Sequence, residues 1–186
     1  MTALRSQLWS KLKKRLDNLT CDSLKGRVGF TVTNYRKAHD QMGRAFITVD
    51  KKEVLNMCTI TSDIRINRKE REIHRINDIS YDDYQKNHEI SVTAHELVKK
   101  EGIYAQYDFY DAVEEFLNMP IEKALKSDDM VIKILALIDR RIGKRTLHLL
   151  KESIQQELEI IQYFYHLRCE AEQIEYSQRP GKLKVY

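Results

Sequence analysis

Arg27-Val28-Gly29-Phe30-Thr31-Val32-Thr33 decides how the chain is read, because its apolar residues from Val28 on fall at every second position. A period of two belongs to a strand whose alternate side chains face opposite sides of a sheet. Beyond a polar stretch, Asn34 to Gly43, Phe46-Ile47-Thr48-Val49 predicts a second strand, Asp50-Lys51-Lys52 a turn, and Val54 to Ile60 a third strand. The simplest assembly is an antiparallel β-meander, with Asp63 to Ile66 as candidate fourth strand. So small a sheet has to bury its apolar face against helices.

Upstream the period lengthens. Leu8, Trp9, Leu12, Leu16 and Leu19 recur at three- and four-residue spacing, which predicts a helix over Ser6–Leu19 with Lys11, Lys13, Lys14 and Arg15 between them. Downstream, the charged run Asn67 to Arg75 reads as helix or loop. Helices are predicted from Asp82 to Glu101, stopped at Gly102, and from about Asp108 to just before Pro120. A short helix follows over Pro120–Lys126, then Met130–Ile142 with Ser127 as its cap and Gly143 at its end. One long helix is predicted over Thr146–Ile174. The fold class is therefore α+β: an N-terminal helix and a meander of three to four strands (residues 1–75), an all-helical half (76–176) and a loose tail (177–186), in one domain.

A chain of 186 residues buries roughly 70% of its unfolded surface and folds without staples. Cys21, Cys58 and Cys169 are odd in number and form no C-x-x-C pair, so neither a disulfide framework nor a zinc ribbon is expected. Free thiols suit a reducing compartment, and the expected location is the cytoplasm. No apolar leader and no 18-residue apolar run occurs, so neither secretion nor membrane spanning is expected. No phosphate loop, nucleophile elbow or kinase signature occurs, and no cofactor is expected.

Charge is divided unevenly. Residues 1–75 carry 17 Lys and Arg against 8 Asp and Glu, a net of +9, while residues 76–186 carry 15 against 20, a net of −5. Such a split suits either an internal fit between the halves or a basic face offered to an anionic partner.

Three clusters are candidates for chemistry. Tyr35, Arg36, His39, Asp40 and Arg44 crowd the connection between the first two strands, where an imidazole beside a carboxylate can act as a base and guanidinium groups can hold an anion. Arg140, Arg141, Lys144 and Arg145 form a second basic cluster at a helix junction, an anion seat unless Asp139 occupies one arginine. His88-Glu89 and His95-Glu96 repeat at a spacing of seven. That puts the histidines on one helix face but about 10 Å apart, too far to share a metal from one helix, so the expectation is a solvated face.

Three stretches together carry a resemblance. They are Trp9-Ser10-Lys11-Leu12-Lys13-Lys14 with Ser23-Leu24-Lys25-Gly26-Arg27-Val28; Tyr35-Arg36 with His39-Asp40, Gly43-Arg44 and Ile47-Thr48-Val49-Asp50; and Asp139-Arg140-Arg141-Ile142-Gly143-Lys144-Arg145-Thr146-Leu147 with Phe164-Tyr165-His166-Leu167-Arg168-Cys169-Glu170-Ala171-Glu172. The chain resembles a family of small bacterial proteins of unassigned function. The resemblance implies a bacterial, cytoplasmic, single-domain protein and no particular reaction.

The expected function is non-enzymatic binding of another protein, in a regulatory or immunity-type role. The alternative is nucleic-acid binding through Lys11, Lys13, Lys14, Arg15, Lys25, Arg27, Arg36 and Arg44. A third reading is a hydrolase or transferase centred on His39 and Asp40.

Overall fold

The alternation at Val28 does produce a strand. In the computed structural model, which describes residues 2–35, 42–80 and 82–174, β1 (Val28–Asn34) pairs antiparallel with β2 (Gly43–Val49), and β2 with β3 (Lys52–Cys58). The sheet order is β1-β2-β3, the predicted meander. Val28, Phe30, Ala45, Ile47, Val49, Leu55 and Met57 turn inward. The β2–β3 hairpin closes through Asp50 and Lys51, both at positive φ (50° and 67°), the backbone that a two-residue turn needs to match strand twist. Arg27 fixes this turn by gripping the Asp50 carboxylate at 3.0 and 2.9 Å.

The N-terminal helix α1 spans Thr2–Leu19 and buries Leu12 and Leu16, with Trp9 edge-on to Tyr110. The proposed fourth strand is absent: Asp63 to Ile66 lie in α2 (Thr59–Asn77), which begins directly after β3. Ile64 and Ile66 mimic strand alternation because they sit two apart. On the helix, Ile66 is half-buried and lines a groove against the next helix, while Ile64 faces water at 62% exposure.

The remaining helices are α3 (Tyr84–Lys100), α4 (Gln106–Asn118), α5 (Ile121–Ala124), α6 (Met130–Leu137), α7 (Lys144–Leu150) and α8 (Glu159–Ala171). Several boundaries differ from the sequence reading: β3 ends at Cys58 rather than Ile60, and α6 at Leu137 rather than Ile142. Asp129, not Ser127, caps α6, accepting from the backbone of Val131 and Ile132 at 2.9 and 3.2 Å, while Ser127 Oγ accepts from Asp129 N. Gly143 is the N-cap of α7. The long final helix is broken between α7 and α8 by a 3-10 turn, Ser153–Gln156. No proline or glycine marks that break. It is stabilised instead by Gln162, whose amide donates to the carbonyls of Gln155 and Glu157, and by Lys133, which binds the Glu157 carboxylate at 2.5 Å. The predicted tail lies outside the described residues.

All but one residue of α6 is buried, the pattern of a helix enclosed on every side. The buried cluster runs from Leu12 to Ile174 and joins α1, the sheet, α4, α6 and α8. Where α6 ends, Arg168 of α8, 3% exposed, donates to three carbonyls: Leu137 at 3.3 Å, Asp139 at 2.9 Å and Ile142 at 2.8 Å.

Truncating Arg168 leaves buried carbonyls unpaired, at about 1–3 kcal/mol each. Arg168→Ala is expected to lower unfolding stability by at least ~3 kcal/mol in urea denaturation. Arg168→Lys should recover only part, since one ammonium cannot span the three oxygens in a planar fork. Equal stability of Arg168→Ala and wild type would remove this side chain from its structural role.

Candidate functional site

The connection between β1 and β2 is described only at its base. Arg36, His39 and Asp40 lie outside the described residues. Tyr35 N donates to Met42 O at 2.7 Å, and Tyr35 Oη lies 3.4 Å from Cys58 Sγ at the start of α2. Arg44 is engaged: it binds Glu53 at 3.1 Å and stacks on Phe46. Gln106, which the sequence reading passed over, ties this end of the sheet to α4, its amide donating to Thr33 O at 3.1 Å and Asn34 Oδ1 at 2.9 Å. A Cβ on Gly43 would collide with that amide and with Thr33 O, which is why a residue without a side chain stands there.

In the second cluster, Arg141 is occupied by Asp139, itself 1% exposed, through contacts of 2.8 to 3.1 Å, and it also lies over the Phe116 ring. Arg140, Lys144 and Arg145 are exposed. Several of the basic residues assigned to nucleic acid have carboxylate partners too: Lys13 with Asp17, Lys25 with Asp22, and Arg27 with Asp50 and Glu170.

The structure gathers ionisable groups elsewhere. Helices α2 and α3 pack on each other as a hairpin, and α3 buries Ile90, Ala94 and Val98 at one-turn spacing, outside the main buried cluster. Between them and the start of α4 runs a groove of about 360 Å³, with Asp63 and Asn67 on one wall, His88, Val92 and His95 on the other, and Tyr107 at its end. His95 is therefore not simply solvated, as the sequence reading expected. Its Nε2 lies 2.8 Å from Asp108 Oδ1, without the alignment of a hydrogen bond. Asp108 is 3% exposed, and burial pushes its carboxyl above the ordinary carboxylate range, against the Ala105 N–H and His95, which favour the charged form. Tyr107 donates to Asp63 at 3.3 Å, and burial raises its phenol.

These contacts do structural work. Three consecutive residues of α4 hold the hairpin: Gln106 N donates to Thr59 Oγ1 at 3.3 Å, Tyr107 meets Asp63, and Asp108 meets His95. Lys99 adds a fourth link, 2.8 Å from Asp129. That link lies in a second hollow of about 600 Å³, where Lys133 is likewise paired with Glu157. Among the described residues no group of three His, Cys, Asp or Glu is placed to hold a metal ion. No described helix is long and apolar enough to cross a membrane.

The hairpin's outer face is different. Ile60, Ile64, Arg68, Arg71 and Arg75 follow one another at helical spacing along α2, and all five are exposed. Six of the eight large apolar residues exposed among the described residues sit on α2 or α3: Ile60, Ile64, Ile76, Tyr84, Val92 and Leu97.

Two outcomes follow from the titrating groups. Because the folded-state pKa of Asp108 is raised, the folded protein holds its proton more tightly, so stability is lost as pH climbs from the ordinary carboxylate value through the raised one. Asp108→Asn removes that step, and thermal melts should show the variant gaining on wild type as pH rises through the window; the opposite slope would mean that His95 outweighs desolvation. At Cys58, burial would raise the thiol, but hydrogen bonds from Tyr35 and Thr61 together hold it below its ordinary value. Cys21 and Cys169 are buried, and burial pushes Cys169 up. Iodoacetamide at neutral pH should therefore label Cys58 first, read by peptide mass mapping, and equal labelling of the three would contradict the assignment.

No curated protein and no solved structure matches the chain. The model of the SF0329 protein family matches residues 8–169, a span that takes in most of α1, the sheet, the hairpin and nearly all of α8. The chain belongs to the SF0329 protein family.

Proposed function

We propose that this is a bacterial cytoplasmic protein that acts by binding another protein, with the α2–α3 hairpin as its contact surface. The observation that carries this reading is the concentration of exposed aliphatic and aromatic side chains there, Ile64 at 62% and Tyr84 at 88% among them. Singly scattered apolar residues are ordinary on any surface, whereas their gathering on one unit is the mark of an interaction site. The groove beside them adds His88, His95, Asp63 and Tyr107 as polar groups that can fix orientation.

Other observations support binding over the alternatives. Nucleic-acid binding by the N-terminal half loses force because Lys13, Lys25, Arg27 and Arg44 are each engaged by a carboxylate. Three free cysteines suit a reducing compartment.

Affinity capture from nuclease-treated host lysate tests this reading. Wild type should retain a stoichiometric protein that Ile60→Ser/Ile64→Ser loses by tenfold or more, since loss of two anchors at an interface costs about 1.4 kcal/mol at least. Leu149→Ser, which alters a residue 76% exposed but off the hairpin, should retain the partner. A partner kept by the double variant, or lost equally by Leu149→Ser, would overturn the assignment.

A further inference from the structure

The outer face of α2 also specifies the kind of partner, and this inference rests on the reading of the hairpin as the contact surface. Ile60 and Ile64 occupy its first turns, and Arg68, Arg71 and Arg75 continue the same stripe, so one helix face is aliphatic at one end and cationic at the other. From Ile60 to Arg75 is about 22 Å along the axis, roughly four turns. Arg68 and Arg75 have no carboxylate partner among the described residues, and Arg71 spends only its Nε, on Asn67 O at 3.2 Å. Of the neighbouring acids, Glu72 is taken by Lys69 at 3.1 Å, and Glu70 is half-buried and forms no ion pair with these arginines among the described residues. Elsewhere in the N-terminal half Arg27 has Asp50 and Arg44 has Glu53, while Arg15 donates to the carbonyl of Leu117. The α2 stripe is where positive charge is left unanswered next to exposed aliphatic surface.

We infer that the hairpin receives a protein segment of acidic and aliphatic character, with aliphatic side chains for Ile60 and Ile64 and carboxylates for Arg68, Arg71 and Arg75. A guanidinium fork matches a carboxylate in two parallel hydrogen bonds, and Arg is enriched at protein interfaces. Phosphates would satisfy the arginines equally, but a nucleic-acid backbone offers nothing to cover Ile60 at 42% and Ile64 at 62% exposure. The two ends of the stripe together favour protein. An amphipathic helix laid along α2 presents both features at the right period.

The test selects from a displayed library of helical peptides, randomised on one face, against the full-length protein. Enriched peptides should carry Asp or Glu together with Leu, Ile or Val at helical spacing. Their binding, measured by fluorescence anisotropy, should fall tenfold or more with Arg68→Glu/Arg71→Glu/Arg75→Glu and return when the peptide's Glu residues are changed to Lys. Arg68→Gln/Arg71→Gln/Arg75→Gln, which adds no like-charge repulsion within α2, should show the same loss more mildly and stands in if the reversed variant fails to fold by circular dichroism. Enrichment without acidic residues, no enrichment, or binding indifferent to both arginine variants would overturn the inference. So would a short RNA duplex that displaces the peptides, or a wild-type dimer in light scattering that the arginine variants dissolve, since these would make the occupant nucleic acid or a second copy. Loss with Ile60→Ser/Ile64→Ser but not with the arginine variants removes the acidic partner and leaves the hairpin as contact surface. Indifference to both sets removes the two readings together.

Discussion

Arg168 carries a charge into a place where water cannot follow. The last carbonyls of a helix lack intrahelical donors, and α6 ends deep inside the protein, where no solvent can supply them. Arg168 reaches across from α8 to donate to Leu137, Asp139 and Ile142. The same segment receives the end of α1: Cys21 N donates to Ile138 O at 2.9 Å and Arg140 N to Leu19 O at 2.7 Å. Asp139 completes it by accepting from the backbone and guanidinium of Arg141. Chain start, central helix and final helix are therefore registered against one another by polar groups at residues 137–142. Glu172 joins the set, taking Arg168 Nε at 3.1 Å and Ser23 Oγ at 3.0 Å.

The uneven charge of the sequence resolves differently from a simple attraction between halves. Lys13, Lys25, Arg27 and Arg44 find carboxylates within their own neighbourhood, while Arg27 also reaches Glu170 at 3.6 Å and Lys69 reaches Glu101 at 3.7 Å in the acidic half. Each exposed pair contributes little to stability, about 0–1 kcal/mol. Their effect is to quiet the positive field around α1 and the sheet. On the outer face of α2, Arg68 and Arg75 have no carboxylate partner among the described residues, and positive charge stands open there.

Much of the architecture was legible because its signals are local. Alternation at Val28–Val32 and Phe46–Val49, the turn at Asp50-Lys51 and the three- and four-residue spacing of α1 depend on neighbours close in sequence. The break between α7 and α8 was not legible, since Gln162 and Lys133 make it from outside the segment without any helix-breaking residue. Asp63–Ile66 misled because two isoleucines at i and i+2 satisfy a strand pattern, although only one of them is covered. His95 was placed on the correct helix but on a solvated face, because its partner Asp108 is thirteen residues away on another element. Of the candidate residues, Arg44 and Arg141 are where a ligand was expected but are held by Glu53 and Asp139. The stripe on α2 was not legible, since Ile60 falls in the predicted third strand and Ile64 in the candidate fourth; it is one helix face because β3 ends at Cys58.

The manner in which the hairpin is attached bears on why it should carry the contact surface. Most of the protein is held by one apolar cluster, in which a displaced helix would open costly voids. The hairpin keeps its own small set, Ile90, Ala94 and Val98, and meets the rest through polar links at Thr59, Asp63, His95 and Lys99. Polar links of this kind fix orientation while contributing modestly in net free energy, because water competes for the same groups. A partner's aliphatic residues can therefore be accepted on the outer face of α2 without repacking the core. The N-terminal end of α4, where Gln106, Tyr107 and Asp108 stand in succession, links the hairpin to the sheet through the Gln106 amide on Thr33 and Asn34.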